Sequence, residues 1–237
     1  SVLHFATIVT PDADPVKRQG VPEVLETCLI DKNCYTRAES PRLRSSRRMM
    51  FKVNRRWELH VWQLTGAPAT WGQQLHAKLA AEPVYAVISG IGGKTWAPIH
   101  HFCEQAALPC LFPNVDLPVV AEKDFDNLYF SPGVLLEAQL IAHELRAQRA
   151  SSPLHRVVQV FRAADVGAEA AAALAAALPG AGLTFLKHAL PANAKARELA
   201  AAIRDARAGD ALVLWLRPDD IAALGAPPAG VQKVYLS

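Results

Sequence analysis

The chain has 237 residues, 51% hydrophobic and 20% charged, with a formal net charge of +3. That length suits one large domain or two small ones, and that composition supports a packed core and excludes wholesale disorder. No apolar run approaches the roughly 20 residues that cross a membrane, no basic-then-apolar leader opens the chain, and the small net charge argues against a dedicated nucleic-acid binder; the chain is expected to be soluble as given, any leader having been removed.

Residues 3–9 (LHFATIV) read as a strand that ends in the turn signal TPDADP. Residues 21–30 suit a helix with Pro22 in its first turn, and residues 31–50 show no period and read as a loop. WELHVWQL (57–64) is a strand stopped by Thr65-Gly66. Trp71, Leu75 and Leu79 recur every four residues, which predicts a helix over 70–81 with Thr70 as cap. Residues 84–88 are a buried strand. Trp96, Ile99, Cys103 and Ala106 are spaced as one helix face, stopped by Pro109 before a short strand at 110–112.

The alternation continues with a strand at 127–130 and a helix marked by Val134, Ala138, Ile141 and Leu145. Ser151-Ser152-Pro153 is a break, and the lobe boundary is placed there, giving units 1–150 and 151–237. Beyond it come a strand (157–161), an Ala-rich helix (167–178), a strand (183–186), a helix carrying Leu199, Ala202, Ile203 and Ala206, a strand (ALVLWL, 211–216), a short helix (219–224) and a last strand (231–236). Strands alternating with helices predict an α/β protein with two Rossmann-like lobes and mainly parallel sheets, covered on both faces.

Between Arg37 and Arg56 lie eight basic residues (Arg37, Arg42, Arg44, Arg47, Arg48, Lys52, Arg55, Arg56) and one acid, Glu39. Such a stripe suits a solvated loop, or the holding of phosphate or an acidic partner; with Phe51 its one aromatic, it lacks a base-stacking platform. The four cysteines fall in two local pairs, Cys28 with Cys34 and Cys103 with Cys110, open to either two disulfides or four thiols. His100, His101 and Cys103 are metal-ligand types, but adjacent histidines point apart on a helix, so no metal is expected.

VYAVISGIGGKTWAPIHHF (84–102) carries the strongest local signal. Gly93-Lys94-Thr95 ends like a phosphate-binding loop. Its first glycine belongs at position 88, which is Ile88, and Gly90 comes two residues late, so the loop is too short to wrap a β-phosphate. Gly90 and Gly92 are followed by Thr95 where a dinucleotide fingerprint needs a third glycine. Two readings remain. The glycines make a tight strand-to-helix turn. Or they bare the backbone to a ligand at the strand's carboxyl end, where the helix start and Lys94 favour an anion.

The run VYAVISGIGGKTWAPIHHFCEQAALPCLFPNVDLP, with the segments LPCLFP (108–113) and NLYFSP (127–132) and the turn Asp165-Val166-Gly167 after a strand, resembles type 1 periplasmic binding proteins of the leucine/isoleucine/valine and amide class. The resemblance covers roughly residues 57 to 237 and rests on pattern rather than on an invariant motif. It implies a two-lobed ligand trap that closes like a hinge. The implied contacts come from the glycine loop (Ser89, Gly92, Gly93, Lys94, Thr95, Trp96), the loop after the next strand (Asn114, Asp116) and the second-lobe turn (Arg162, Asp165). It also implies a periplasmic location, a small-molecule ligand, no cofactor, no nucleic acid, and an ABC permease or other membrane-associated partner. The chain departs from the family pattern in having Gly93 or Lys94 where a serine is usual, Val166 where a tyrosine closes over the ligand, and a different first 56 residues. It ends at Ser237, where strands returning to the first lobe would follow, so a fragment or a shortened relative is expected.

The expected function is therefore solute binding for an ABC-type importer, the solute being an amino acid, amide or carboxylate. One alternative is an interaction or sensor module that keeps the fold without a working pocket and docks a partner through the Arg37–Arg56 stripe, a contact that neutralising Arg47 and Arg48 would abolish. The other is a Rossmann-like enzyme. The chain has no G-x-S-x-G, no H-E-x-x-H and no telling pair of carboxylates, and its eight histidines are scattered. Arg217 and Asp219, at another predicted strand end, are open to two readings, lining the same cleft or surface charge with Asp219 a natural helix cap.

Overall fold

The computed structural model describes residues 2–38, 55–120, 123–151, 154–180, 182–224 and 226–237. The chain forms two compact units, Ser1–Phe130 and Ser131–Ser237. The central residues of the basic stripe, Arg42, Arg44, Arg47, Arg48 and Lys52, lie outside the described residues.

The first unit runs β1 (Val2–Val9), α1 (Pro15–Ala38), β2 (Arg56–Gln63), α2 (Trp71–Ala81), β3 (Ala86–Ile88), α3 (Ala97–Ala106), β4 (Cys110–Leu111) and β5 (Asn127–Leu128). Its sheet order is β2-β1-β3-β4-β5, every neighbouring pair parallel. β1 lies between β2 and β3, and its side chains from Phe5 to Val9 are all buried. On one face Ala6 and Ile8 pack with Trp62, Trp71, Leu75, Trp96, Ile99 and Phe102. On a smaller cluster Val9 meets Ala13 and Ile91, with Val21 and Val61 against them.

Two local expectations are corrected here. α1 begins at Pro15, not residue 21, and runs on to Ala38 through part of the expected loop. Asp14 Oδ1 accepts the N–H groups of Val16 and Lys17 at 2.9 and 3.0 Å, so Asp14-Pro15 is a helix start. Pro22 then lies about two turns inside the helix. The helix is tied to the edge strand β2 by Asn33, whose amide exchanges two hydrogen bonds of 2.9 Å with the Trp57 backbone, which covers part of an open edge. Second, Thr70 does not cap α2 with its side chain. Residues Pro68–Thr70 form a 3-10 turn, and the Thr70 hydroxyl bonds back to Ala67 O at 2.8 Å.

The second unit runs α4 (Val134–Ser151), β6 (Arg156–Arg162), α5 (Val166–Ala177), β7 (Thr184–Leu190), α6 (Ala196–Arg204), β8 (Ala211–Trp215), α7 (Pro218–Ala222) and β9 (Lys233–Leu236), with parallel sheet order β7-β6-β8-β9. The division falls after Phe130 rather than at residue 150, because α4 packs Ala138, Ile141, Ala142 and Leu145 in one cluster with Ala170, Ala171 and Leu174 of α5. α6 covers the other face with Leu199, Ala202 and Ile203. Asp219 is not the cap of α7; it sits in the first turn, and Arg217 holds the cap position.

One polar group crosses this core. Gln159 is fully buried on β6; its Oε1 accepts the Trp215 indole N–H at 2.8 Å and its Nε2 donates to Ala171 O at 3.2 Å. Gln159→Leu orphans both partners, so we expect a loss of about 2 kcal/mol, read as a lower urea midpoint. An unchanged midpoint would show that the pair is dispensable.

Candidate functional site

In a sheet ordered β2-β1-β3, the chain leaves β1 toward opposite sides, so the crevice beyond the carboxyl ends of β1 and β3 is the switch point where ligands bind in open α/β sheets. Thr10 to Asp12 follow β1, and Ser89 to Trp96 follow β3. The two loops are stitched together: Ile91 N–H donates to Ile8 O at 2.7 Å, Thr10 N–H to Ile91 O at 3.0 Å, and Gly93 N–H to Thr10 Oγ1 at 3.4 Å. The Thr10 hydroxyl donates to Asp12 Oδ1 at 2.5 Å. Thr10 and Asp12 escaped the sequence reading, which took TPDADP for a turn; their signal is their place directly after a buried strand.

The glycines have a packing partner. Trp96 is buried, and its ring lies on the loop that precedes it. A Cβ on Gly90 would sit 2.5 Å from the Trp96 ring, and one on Gly92 2.5 Å from the same ring and 3.1 Å from Val115. At Gly93 a Cβ would lie 2.5 Å from Asp12 Oδ2 and 2.6 Å from Asp12 O. Trp96 is thus the floor beneath the loop, not a surface group. Its indole N–H is buried and has no hydrogen-bond partner among the described residues.

The rim is mixed in character. Lys94, Asn114 and Asp116 are exposed, Ser89 and Thr95 half-buried. Asn114 N–H donates to Gly90 O at 2.6 Å and Gly92 N–H to Asn114 O at 3.1 Å, bringing the β4 loop beside the glycine loop. Asp116 stands 4.0 Å from Lys17 Nζ. Ser89 and Phe112, directly after β3 and β4, have φ of 47° and 55°, left-handed conformations that cost a side chain of order 1–3 kcal/mol and collect at functional sites. Phe112 is half exposed and meets the exposed Phe130 edge to face at 6.5 Å. The start of α3 offers fewer free N–H groups than a bare helix end, since Pro98 has none and Ile99 and His100 donate to Trp96 O.

The second unit repeats the order, with β6 and β8 flanking its switch point. Arg162 makes five hydrogen bonds: two to the Asp220 carboxylate at 2.8 and 2.6 Å, and three to the carbonyls of Pro191, Ala192 and Ala194. That engages every N–H a guanidinium has. Asp165 caps α5 through Val166 N–H at 3.0 Å and accepts Arg217 Nε at 2.7 Å. The Arg162 guanidinium holds the Asp220 carboxyl below the ordinary carboxylate range, against the opposing effect of burial. Away from the switch point, burial pushes the Asp210 carboxyl up, but the Arg156 side chain and Arg207 N–H outweigh it and the net direction is down.

Among the described residues one trio, His100, Glu104 and Asp124, brings a metal-ligand atom from each within 4.8 Å of the others. Hydrogen bonds already fill Glu104: Phe125, Asp126 and Asn127 donate backbone N–H groups, and Asn127 its side-chain amide at 2.7 Å. Burial pushes the Glu104 carboxyl up, and these donors together bring it below its ordinary value. His100 lies between Asp124 Oδ2 at 3.1 Å and the Tyr129 hydroxyl at 2.8 Å. The trio ties the segment before β5 onto α3. All four cysteines are free thiols. Cys28 and Cys34 lie six residues apart on α1, about 9 Å along its axis, beyond disulfide reach. Cys103 and Cys110 are buried side by side; the Cys110 thiol and burial hold the Cys103 thiol well above its ordinary value.

No protein-family model matches the chain, and no curated protein matches it in sequence. Solved structures do match. An ABC transporter substrate-binding protein from Desulfitobacterium hafniense in complex with Leu is 16% identical with a TM-score of 0.62, covering 90% of this chain and 58% of that one. The leucine-, isoleucine-, valine-, threonine- and alanine-binding protein from Brucella ovis is 13% identical with a TM-score of 0.59, covering 94% and 56%. A solute-binding protein of an ABC transporter from Rhodopseudomonas palustris BisB5, in complex with 3,4-dihydroxybenzoic acid, is 12% identical with a TM-score of 0.57, covering 91% and 54%. These likenesses show the fold: paired α/β units of the type I periplasmic binding protein kind. The chain spans under two thirds of the length of these neighbours, all three of which are named as binding proteins.

Two measurements test this construction. Gly92→Ala drives a methyl group into Trp96 and should destabilise by about 2 kcal/mol, whereas Gly72→Ala in α2, where a Cβ meets nothing within 4 Å, should hold or raise the melting point; equal melting points for the two would overturn the packing account. The depressed carboxyls of Glu104, Asp210 and Asp220 contribute stability that is complete above their unfolded values near pH 4 and is lost as pH falls through the lower folded values. The melting point should therefore fall below about pH 4, and Asp220→Asn should lower it at pH 7 while flattening the acid limb.

Proposed function

We propose that the chain is a solute-binding protein of an ABC-type importer that takes a small polar solute, an amino acid being the best match, at the switch point beyond β1 and β3. The observation that carries this reading is the crevice itself: two strand ends stitched through Thr10 and the glycine loop, bordered by strained backbone at Ser89 and Phe112. The backbone of the glycine loop can approach a solute because no side chain beyond Cα stands at Gly90, Gly92 or Gly93. Lys94 supplies a positive charge for a carboxylate, and Asp12 and Asp116 supply negative charge for an ammonium group. Thr95 and Asn114 add hydrogen-bonding groups, and the exposed rings of Phe112 and Phe130 provide apolar contact for a side chain.

Trp96 acts as the floor that sets the loop's shape, and Arg162 and Asp165 shape the second unit's strand ends. Binding requires no covalent chemistry and no cofactor, so the reading is of a binding protein, not an enzyme. Leucine in one structural neighbour and dihydroxybenzoate in another support a small carboxylate as the solute class. An extracytoplasmic location and a membrane permease as partner accompany this reading. The test is a calorimetric titration of the purified chain with amino acids, their amides and small carboxylates. We expect saturable binding of an amino acid, weakened at least about tenfold by Lys94→Ala. Unchanged affinity in that variant would remove Lys94 from the site, and a chain that binds none of the panel would favour the docking module.

A further inference from the structure

At the other end of β1 the structure gathers a second set of polar groups. His4 on β1 faces Glu58 in the parallel register, and His60 faces Ala6, so the three residues share one face of the β1–β2 pair. His4 Nδ1 lies 2.9 Å from His60 Nε2 and 3.7 Å from Glu58 Oε2. His60 Nδ1 lies 3.2 Å from Glu82 Oε2, just past the end of α2. Glu82 Oε2 also accepts the indole N–H of the buried Trp62 at 3.1 Å. Glu58 Oε1 lies 3.4 Å from Arg56 Nε.

We propose that His4 Nδ1, His60 Nε2 and the Glu58 carboxylate form a binding site for a divalent transition-metal ion of the zinc or copper kind. The argument begins with the tautomer. Glu82, held by Trp62, is acceptor-only and draws the proton of His60 onto Nδ1. That leaves His60 Nε2 a lone pair directed at His4. A histidine ligand oriented by a carboxylate on its other nitrogen is the arrangement that metal centres use, and it fixes ring orientation and raises ligand basicity. Without metal, a proton on His4 Nδ1 bridges the two nitrogens. With metal, that proton leaves Nδ1 and the ring is protonated at Nε2 through solvent, so the neutral pair releases no net proton.

The two imidazoles need little adjustment, whereas the Glu58 carboxylate, 3.7 Å from His4 Nδ1, has to turn toward His60 Nε2 to share the ion. Metal–nitrogen bonds of about 2.0–2.1 Å at a tetrahedral angle put two nitrogens about 3.3 Å apart, against 2.9 Å here. Two imidazoles and one carboxylate suit zinc or copper better than calcium or magnesium, which prefer oxygen. The side chains are partly exposed, His4 39%, Glu58 37% and His60 24%, so an ion reaches them from solvent and water completes the coordination. The site lies six residues from Thr10 along β1, about 20 Å, so it is independent of the solute crevice.

The experiment is calorimetric titration of the EDTA-treated 237-residue chain with zinc chloride at pH 7.5. We expect one ion per chain. His4→Gln and His60→Gln should each weaken binding at least tenfold. Glu82→Gln, which keeps an acceptor for Trp62 but removes the charge, should weaken it about 10- to 100-fold with circular dichroism unchanged. Nitrogen NMR of the histidine rings of the unmutated chain should show zinc at Nδ1 of one ring and Nε2 of another, and this readout stands even if a variant folds poorly. Absence of zinc binding overturns the proposal. So does undiminished binding in the folded His4→Gln/His60→Gln double variant, or loss of the ion on His100→Gln, which would move it to the His100–Glu104–Asp124 trio.

Discussion

In each unit the first strand of the fold lies inside its sheet with parallel partners on both sides, β1 between β2 and β3 and β6 between β7 and β8. Parallel neighbours require crossovers, the crossovers lay helices on both faces, and the inner strand is then buried on both faces. Phe5 to Val9 and Val157 to Phe161 meet that requirement with continuous burial. The polar exceptions are all satisfied: Thr7 donates to Ser89 O at 3.2 Å, Thr10 to Asp12, and Gln159 bonds to Trp215 and Ala171. Reversal of direction at these strands also creates the switch points. The site is therefore a consequence of strand order before any side chain is considered.

The glycine loop illustrates how one sequence signal serves two physical demands. Glycines at a strand end were open to two readings, a tight turn and a bare backbone for a ligand. Trp96 and Asp12 supply a third cause, since their atoms occupy the space where side chains at Gly90, Gly92 and Gly93 would stand. The backbone is bared because the far side of the loop is packed. A loop pressed against a rigid indole is also better preorganised than one held by hydrogen bonds alone, which lowers the ordering cost of binding. Strain at Ser89 and Phe112 is kept because strand ladders hold both residues: Ser89 N–H donates to Leu111 O and Phe112 N–H to Leu128 O.

The alternation of elements was legible in the sequence because apolar runs such as ALVLWL and the four-residue recurrence of Trp71, Leu75 and Leu79 have strong periods. The start of α1 was not, because Asp14-Pro15 serves turns and helix caps alike and only the local hydrogen bonds decide. The unit division escaped for a different reason. A Ser-Ser-Pro break marks a helix end, whereas the compact boundary depends on which partner α4 covers, and that partner, α5, lies later in the chain. The position of Gly92, Gly93, Lys94, Thr95 and Asn114 after strands was legible in the sequence. Thr10 and Asp12 share that place after β1, but TPDADP also reads as a turn, and their contact with the glycine loop comes from the pairing of β1 with β3, a long-range fact that local pattern does not carry.

The two switch points differ in how their charges are held. In the second unit, Arg162 with Asp220 and Arg217 with Asp165 neutralise one another at 2.6–2.8 Å, and Arg162 also holds three carbonyls. Pulling such a group toward a solute would leave its partner uncompensated, a loss that a small ligand seldom offsets. In the first unit Asp12, Lys94 and Asp116 stand exposed on loops, and the ion pair of Asp116 with Lys17 is long at 4.0 Å and open to water. Exposed pairs of that kind are weak and exchange readily. On the proposed solute-binding reading, discrimination among charged solutes would fall to the first unit. The second unit's network acts to keep its own strand ends in place, which fits a division between a selective surface and a rigid one on the same repeated topology.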